Sequence, residues 1–398
     1  MDPDLLVFNP RVVFDGALPH AVAEALGKAP VAALPHLVGV AVEAIPEDER
    51  VLLVKALMAE GLQAVLPPDR RRGDLLVAGD ARLLCRLAER VFPGPPCARG
   101  VVAAIRAAIE ASSSRSRHLA HARGKLVFER RPLVMGVLNV TPDSFSDGGR
   151  YLAPEAAVQR GLEMMDEGAA IIDVGGESTR PGATEVSVEQ EWGRVAPVLE
   201  ALAARVEVPI SIDTRKAEVA RRAVAMGAAI VNDVTCLSDP GMIPVVAASG
   251  AAVVISHIRG EPRTMQDHPF YTEVVAEVCS ELRKTARAAL QGGVGRDRIL
   301  LDPGIGFGKR LEDNLRILAR LRELTSLGFP LMIGCSRKSF LGHILGRPPQ
   351  ERLSGTTATT VLAALSGVDF VRVHDVRPAI EALRVVLAVD EHATLATL

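Results

Sequence analysis

Eight short apolar runs beyond residue 130 each end in side chains that hydrogen-bond or carry charge. In chain order the ends are Asn139, the trio Gly175, Gly176 and Glu177, then Asp213, Asn232 with Asp233, His257 and Asp302. The trio Ser336, Arg337 and Lys338 follows, and last Arg372 with His374. Carboxylates, amides and cationic groups gathered in this way can hydrogen-bond or pair with the charge of a ligand. Lys338, Arg372 and His374 add basic groups to the set. Each residue also has a plainer reading. A lone Asp or Asn after a strand commonly caps the next helix, so Asp213 and Asp302 fit as caps, and His257 or His374 taken singly fits as a structural histidine. Eight ends biased the same way are harder to explain by capping, which does not call for Lys338 or Arg372.

The elements that must position these residues follow a regular beat. The runs are PLVMGVLN, AAIIDVGG, VPISID, AAIVNDV, AAVVISH, RILLDPG, FPLMIGC and DFVRVHD, separated by helical segments such as PEAAVQRGLEMMDEG, TRKAEVARRAVAMG and EDNLRILARLREL. Continuous apolar strands imply burial on both faces, as in a parallel sheet. Eight βα units in roughly 260 residues fit a (β/α)8 TIM barrel, whose chemistry sits at the C-terminal strand ends. An open doubly wound sheet is the alternative, but no strand is followed by a GxGxxG turn. The barrel is expected over residues 132–392. Upstream, EDERVLLVKALMAEG, ARLLCRLAERVF and VVAAIRAAIEA read as helices, and LQAVLPP and DLLVAG as short strands. These make a small α/β N-terminal domain over 1–118 with no ligand motif. The run ASSSRSRHLAHARGKLVFERR marks the boundary, and 119–131 reads as an exposed linker.

Composition excludes several classes. With 46 Lys+Arg against 48 Asp+Glu in 398 residues and only 3% aromatics, the chain offers no footprint for nucleic acid or an anionic membrane. Hydrophobic content of 48% supports a large core. No apolar run reaches membrane-spanning length, and MDPDLLVFNP lacks a signal-peptide pattern. Five scattered cysteines without a CxxC pair read as reduced thiols of a cytoplasmic protein. DPGIGFGKR ends in Gly308 and Lys309 but does not match a phosphate-binding P-loop. It reads as a glycine-rich turn that lets backbone approach a flat ligand. Arg180, on the stiff GESTRPG loop, reads as an anion clamp or an ordinary exposed arginine.

Taken in order, LNVTPDSFSDGG, IIDVGGESTRPG, SIDT, VNDV, LDPGIGFGK, CSRKSFLG and VRVHDV resemble the dihydropteroate synthase family over about residues 131–390. The resemblance implies a transferase of folate biosynthesis. Such an enzyme joins 6-hydroxymethyl-7,8-dihydropterin diphosphate to p-aminobenzoate with loss of pyrophosphate. It implies that Thr179, Asp213, Asn232, Asp302 and Lys338 hold the pterin, with Lys338, Asp213 and Asp302 central to catalysis. Asn139, Arg180, Arg372 and His374 would take the diphosphate, with Mg2+ at Asn139. Phe145, Pro181, Phe307, Lys338 and Ser339 would form the p-aminobenzoate site. The loops 140–150 and 179–186 would order over the substrates, which suits polar, glycine-punctuated sequence. Homodimers through barrel helices and competition by sulfonamides are further expectations from the resemblance.

Two positions depart from the family pattern. Ser256 stands where a methionine is usual and Ile305 where phenylalanine is common; both alter packing on the pterin. A pterin-binding methyltransferase is the runner-up, but it does not need the SRKS, FSDGG or VRVHD segments. A catalytically silent pterin-binding paralogue would lose Lys338, Arg372 or His374, and all three are present. The N-terminal residues are read either as a partner-binding module or as a structural cap.

Overall fold

Apolar segments of four to seven residues become strands here, and amphipathic ones become helices. The computed structural model describes residues 8–15, 37–67, 74–87, 89, 92–113, 117–128, 132–141, 153–178 and 185–395. The chain divides into two units. One comprises Met1–Arg115 with Tyr271–Lys284 and Ala319–Phe329; the other comprises Ser116–Phe270, Thr285–Leu318 and Pro330–Leu398.

The first unit holds an antiparallel sheet of β1 (Arg11–Asp15), β2 (Leu37–Val42), β3 (Gln63–Val65) and β4 (Leu75–Asp80) in the order β1-β2-β4-β3. Helices α1 (Arg50–Ala59), α2 (Ala81–Leu87) and α3 (Ala98–Ser113) accompany it. Val101, Ile105, Ala108 and Ile109 recur at helical spacing on α3 and join Val40, Leu53, Leu57 and Val77 in one core. Strands β1 and β2 add to the two read from sequence. Val38, Val40, Ala41 and Val42 are all buried, so β2 shows none of the alternation that identifies a half-buried strand.

In the second unit, β5 (His118–His121) and β6 (Gly124–Val127) form a hairpin. This corrects the expectation of a linker over 119–131. Leu119 and Phe128 are buried in a cluster with Met135, Ile171, Ile230, Leu300 and Phe370, and the Phe128 and Phe370 rings meet edge-on at 4.9 Å. Burial of these two side chains fixes a segment whose polar residues alone suggest exposure.

The eight barrel strands are β7 (Leu133–Asn139), β8 (Ile171–Gly175), β9 (Ile210–Asp213), β10 (Ile230–Asp233), β11 (Ala252–Ser256), β12 (Ile299–Asp302), β13 (Met332–Ile333) and β14 (Phe370–Val373). They pair in parallel in the order β12-β11-β10-β9-β8-β7-β14-β13. A parallel bridge between Leu301 and Leu331 joins the two edges. The helices between and after them are α4 (Ala153–Asp166), α5 (Val188–Ala203), α6 (Ala217–Ala225), α7 (Met242–Ser249), α8 (Val274–Gln291), α9 (Leu311–Ala319), α10 (Ser339–Leu345), α11 (Leu353–Leu365) and α12 (Val376–Leu395). This is a TIM barrel preceded by a small α/β region, the fold class expected from the sequence.

Candidate active site

Side chains alternate along a strand, so Met135 and Asn139, Ile171 and Asp173, Ser211 and Asp213, Ile230 and Asn232, Leu300 and Asp302, and Phe370 and Arg372 share faces pairwise. The earlier member lies in, or nearer to, the apolar base cluster, and the later one lies toward the C-terminal end. Register aligns the ends. Asn139 pairs with Gly175, Gly175 with Asp213, and Asp213 with Asn232; across the sheet Ser256 pairs with Asp302. Parallel pairing thus gathers residues scattered over 160 positions of sequence into one rim.

The rim carries a connected polar network. Arg372 donates from Nε to Asp173 Oδ2 and from Nη2 to Asp213 Oδ2, each at 2.6 Å. Asn232 Nδ2 donates to the same Asp173 oxygen at 2.9 Å. Asn232 Oδ1 and Asp173 Oδ1 are left buried without a partner among the described residues. The Asp302 carboxylate accepts the Gly304 N–H on one oxygen at 2.7 Å and makes no other hydrogen bond among the described residues. Burial pushes the Asp302 carboxyl up, against the pull of Lys338 and the Gly304 N–H. Burial also pushes Asp213 above the usual carboxylate range; Arg372 opposes this and the charges of Asp173, Glu191 and Asp233 add to it.

Lys338 closes the rim. Its ammonium donates to the Ile305 carbonyl and lies 4.4 Å from the centre of the Phe307 ring. Burial pushes it down to about 8, against the attraction of Asp302. Its aim is set by Arg337, which takes the left-handed φ of +57°, a conformation that costs a non-glycine residue about 1 kcal/mol or more. Asp375 holds the Arg337 guanidinium at 3.0 and 2.5 Å, and Arg352 donates to the carbonyls of Arg337 and Lys338. Ser339 follows as the first, exposed residue of α10.

Other strand-end residues have structural roles. Asp233 accepts the Thr235 N–H and hydroxyl at 2.6 and 2.7 Å, the capping reading. His257 and Lys309 are buried together, with Nζ 2.9 Å from the imidazole Nδ1 and 3.0 Å from the Phe307 carbonyl. Lys309 therefore points inward, away from any phosphate role. Gly304 and Gly308 of DPGIGFGK serve the protein's own packing. A Cβ on Gly304 (φ +66°) would sit 1.8 Å from the His257 carbonyl oxygen, and one on Gly308 (φ +59°) would sit 2.1 Å from that of Arg259. Although burial pushes Glu177 upward, hydrogen bonds from Arg215 and Lys216 outweigh it and hold this carboxyl below the usual range. Glu177 also accepts the Val186 N–H at 3.2 Å, tying down one end of the 179–186 loop.

Of the expected site residues, Asp213, Asn232 and Arg372 meet in one network, and Lys338 with Phe307 stands beside Asp302. His374, two residues after Arg372, packs its Nδ1 3.0 Å from the Ser336 hydroxyl. Asn139 ends β7 half-buried, and its side chain makes no hydrogen bond among the described residues. Arg372, expected on the diphosphate, is here turned between Asp173 and Asp213. Thr179, Arg180, Phe145 and Pro181 lie outside the described residues. Sequence reasoning missed Asp173, the shared acceptor of Asn232 and Arg372. Its signal was a charged residue in the middle of IIDVGG, where a two-faced buried strand should carry none.

The C-terminal rim of the barrel thus presents buried acceptors beside a lysine. The family model of the pterin binding enzymes matches residues 135–374, and the chain belongs to that family. Within it the likeness is to dihydropteroate synthases, transferases of folate biosynthesis. The chain is 50% identical over 267 residues to dihydropteroate synthase of Escherichia coli K12, covering 67% of this chain and 95% of that one. It superposes on Xanthomonas albilineans dihydropteroate synthase with 4-aminobenzoic acid at a TM-score of 0.66 and 47% identity, covering 69% and 98% of the two chains. For the Yersinia pestis dihydropteroate synthase with a sulfonamide drug complex the TM-score is 0.65, with 44% identity and coverage of 69% and 99%.

Proposed function

We propose that the barrel rim condenses 6-hydroxymethyl-7,8-dihydropterin diphosphate with p-aminobenzoate to give 7,8-dihydropteroate and pyrophosphate. The observation that carries this reading is the buried Asn232 Oδ1, which has no donor among the described residues, beside an Asp302 carboxylate of which Gly304 uses one oxygen. A buried acceptor without a donor costs about 1–3 kcal/mol. The amino and ring N–H groups of a pterin supply the missing donors, and Asp302 suits a two-donor edge.

Lys338 then lies over the joining point, its ammonium beside the Phe307 ring that walls the p-aminobenzoate site. The C–O bond between the pterin methylene and the diphosphate breaks, the ring nitrogens delocalise the cation, the arylamine nitrogen bonds to the methylene carbon, and its proton passes to water. The amine is neutral near pH 7, so no strong base is required. Among the described residues the rim shows no Ser-His-Asp arrangement. The main task is to stabilise the departing diphosphate, worth a few kcal/mol for each well-aimed donor. His374, Arg180 and Arg372 are proposed for it, Arg372 once the diphosphate draws it from Asp173 and Asp213. Ser339 and Pro181 with Phe145 are proposed for the aminobenzoate, and Thr179 for the pterin side.

Mg2+ is proposed at Asn139. The residues fit an ion carried mainly by substrate oxygens. Among the described residues no group of three or more His, Cys, Asp or Glu could hold a metal, while the Asn139 amide is uncommitted. Mg2+ characteristically keeps few protein ligands. When bound it neutralises charge on the leaving diphosphate.

A homodimer is proposed through α11 and α12, where Leu353, Leu362, Leu365, Val385 and Val389 are exposed, the last three by 65–67% for Leu365, Val385 and Val389. Among the described residues no helix is long and apolar enough to cross a membrane. All five cysteines are free thiols, which supports the proposed cytoplasmic location.

The test is pyrophosphate release from the purified protein with Mg2+ and both substrates, beside Lys338→Ala. Release that needs both substrates and falls about 10²–10³-fold in the variant is expected. Pterin binding with no release would move the weight to a methyltransferase relative or a silent paralogue.

A further inference from the structure

The first unit contains two segments of the barrel half of the chain, Tyr271–Lys284 at the start of α8 and Ala319–Phe329, which includes the 3-10 helix Leu321–Leu327. Its N-terminal strand is joined to both by buried polar groups. Arg11, 0% exposed, pairs with Glu43 at 2.8 Å and Glu323 at 3.2 Å. Arg283, 1% exposed, donates to Asn9 Oδ1 at 2.5 Å and to the Pro10 carbonyl at 3.1 Å. Asn9, in the left-handed region at φ +39°, donates from Nδ2 to the Ala276 carbonyl at 3.0 Å. The Val12 N–H donates to the buried Ser326 hydroxyl at 2.7 Å, and Ser112 shares a 2.9 Å hydrogen bond with Thr325.

We infer that residues 8–113 are an obligate part of the enzyme's folded core, completed by α8 and the Leu321–Leu327 turn, and not a separable partner-binding module. Surfaces that dock and release are wet and carry their charges at the rim. Here each side contributes a fully buried arginine with a partner on the other side, Glu323 for Arg11 and Asn9 with Pro10 for Arg283. Removing one member of such a set strands a buried charge, a far larger loss than a surface ion pair. Leu321, Leu324 and Leu327 are also buried around Glu323, Thr325 and Ser326, so the turn has an apolar face as well as a polar one committed within this unit.

The decisive experiment nicks the full-length protein at a specific protease site inserted between Ser114 and Arg115. The two fragments are expected to co-elute in native buffer, to unfold in one transition at the Tm of the uncut protein, and to part only in denaturant. In the uncut chain Arg11→Met is expected to lower Tm by about 5 °C or more, and after nicking to release the fragments. If Arg11→Met fails to fold, that outcome agrees with the inference, and the nicked wild type still decides. Separation of the nicked fragments in native buffer, with fragment 115–398 keeping its Tm and its catalytic rate, would overturn the inference.

Discussion

At the scale of single residues, the rim is a set of opposed charges held at different distances from neutrality. Lys338 is pushed down to about 8 by burial. Its cationic form is therefore full below that pH and lost above it, and kcat/KM is expected to hold up to about pH 8 and fall beyond. Lys338→Arg should remove that alkaline limb from a pH–rate profile even if the rate is lower, because an arginine stays charged. Asp213 is raised above the usual carboxylate range, so its charge and its ion pair with Arg372 fade as pH falls through that raised value. An acid limb above the ordinary carboxylate range follows. Asp173→Asn is expected to shift this limb to lower pH, since it removes a like charge and frees Arg372 for Asp213. It should also raise KM for the pterin substrate about tenfold, because an amide at 173 no longer dictates which way Asn232 presents its oxygen. The p-aminobenzoate KM should stay within about twofold, and steady-state kinetics in both substrates reads the split.

At the scale of elements, chemistry depends on two turns made tight in opposite ways. The turn after β12 uses glycine where another backbone comes within van der Waals reach, and Gly304 is the extreme case. Gly304→Ala places a methyl 1.8 Å from a backbone carbonyl oxygen, which side-chain movement cannot relieve, and at a positive φ. A loss of about 3 kcal/mol or more in denaturant unfolding is expected, with activity lost in step. The turn after β13 uses a non-glycine residue at positive φ. Arg337 is held there by Asp375, so the strain is carried by an ion pair and turned into the aim of Lys338. GIGFGK was read as a turn that lets backbone approach a ligand; Gly304 and Gly308 also admit the 257–259 backbone, while Gly306 faces Lys338. That purpose was not legible because it depends on a strand some fifty residues earlier.

At the scale of the whole molecule, the proposed self-association through α11 and α12 has a direct check. Leu365→Glu with Val385→Glu is expected to convert a dimer to a monomer by light scattering, with the barrel still folded. A wild-type monomer at micromolar concentration would remove the proposal. The exposed apolar side chains there are separate from the rim, so the pterin KM of the variant should stay within about twofold. The N-terminal residues belong to this scale too. Their helices were readable from periodicity, but their role was not, because Glu323 and the Ala276 carbonyl, which pair with Arg11 and Asn9, lie more than 260 residues away in sequence.

Local sequence determined the beat of strand and helix, the barrel class, and the chemical types at the strand ends, because apolar periodicity and turn residues act over a few positions. Ordered motifs were enough to place Asp213, Asn232, Asp302, Lys338 and Arg372 at one rim. Only the tertiary structure decided that Arg372 is shared between Asp173 and Asp213, that Asn232 Oδ1 is buried without a donor among the described residues, and that 118–127 forms a hairpin over the barrel base. It also decided that β1 finds its partners on α8 and in the Leu321–Leu327 turn. Each of these is a pairing of buried polar or apolar groups far apart along the chain. Burial and hydrogen-bond satisfaction belong to the assembled fold, and no window of sequence contains both partners.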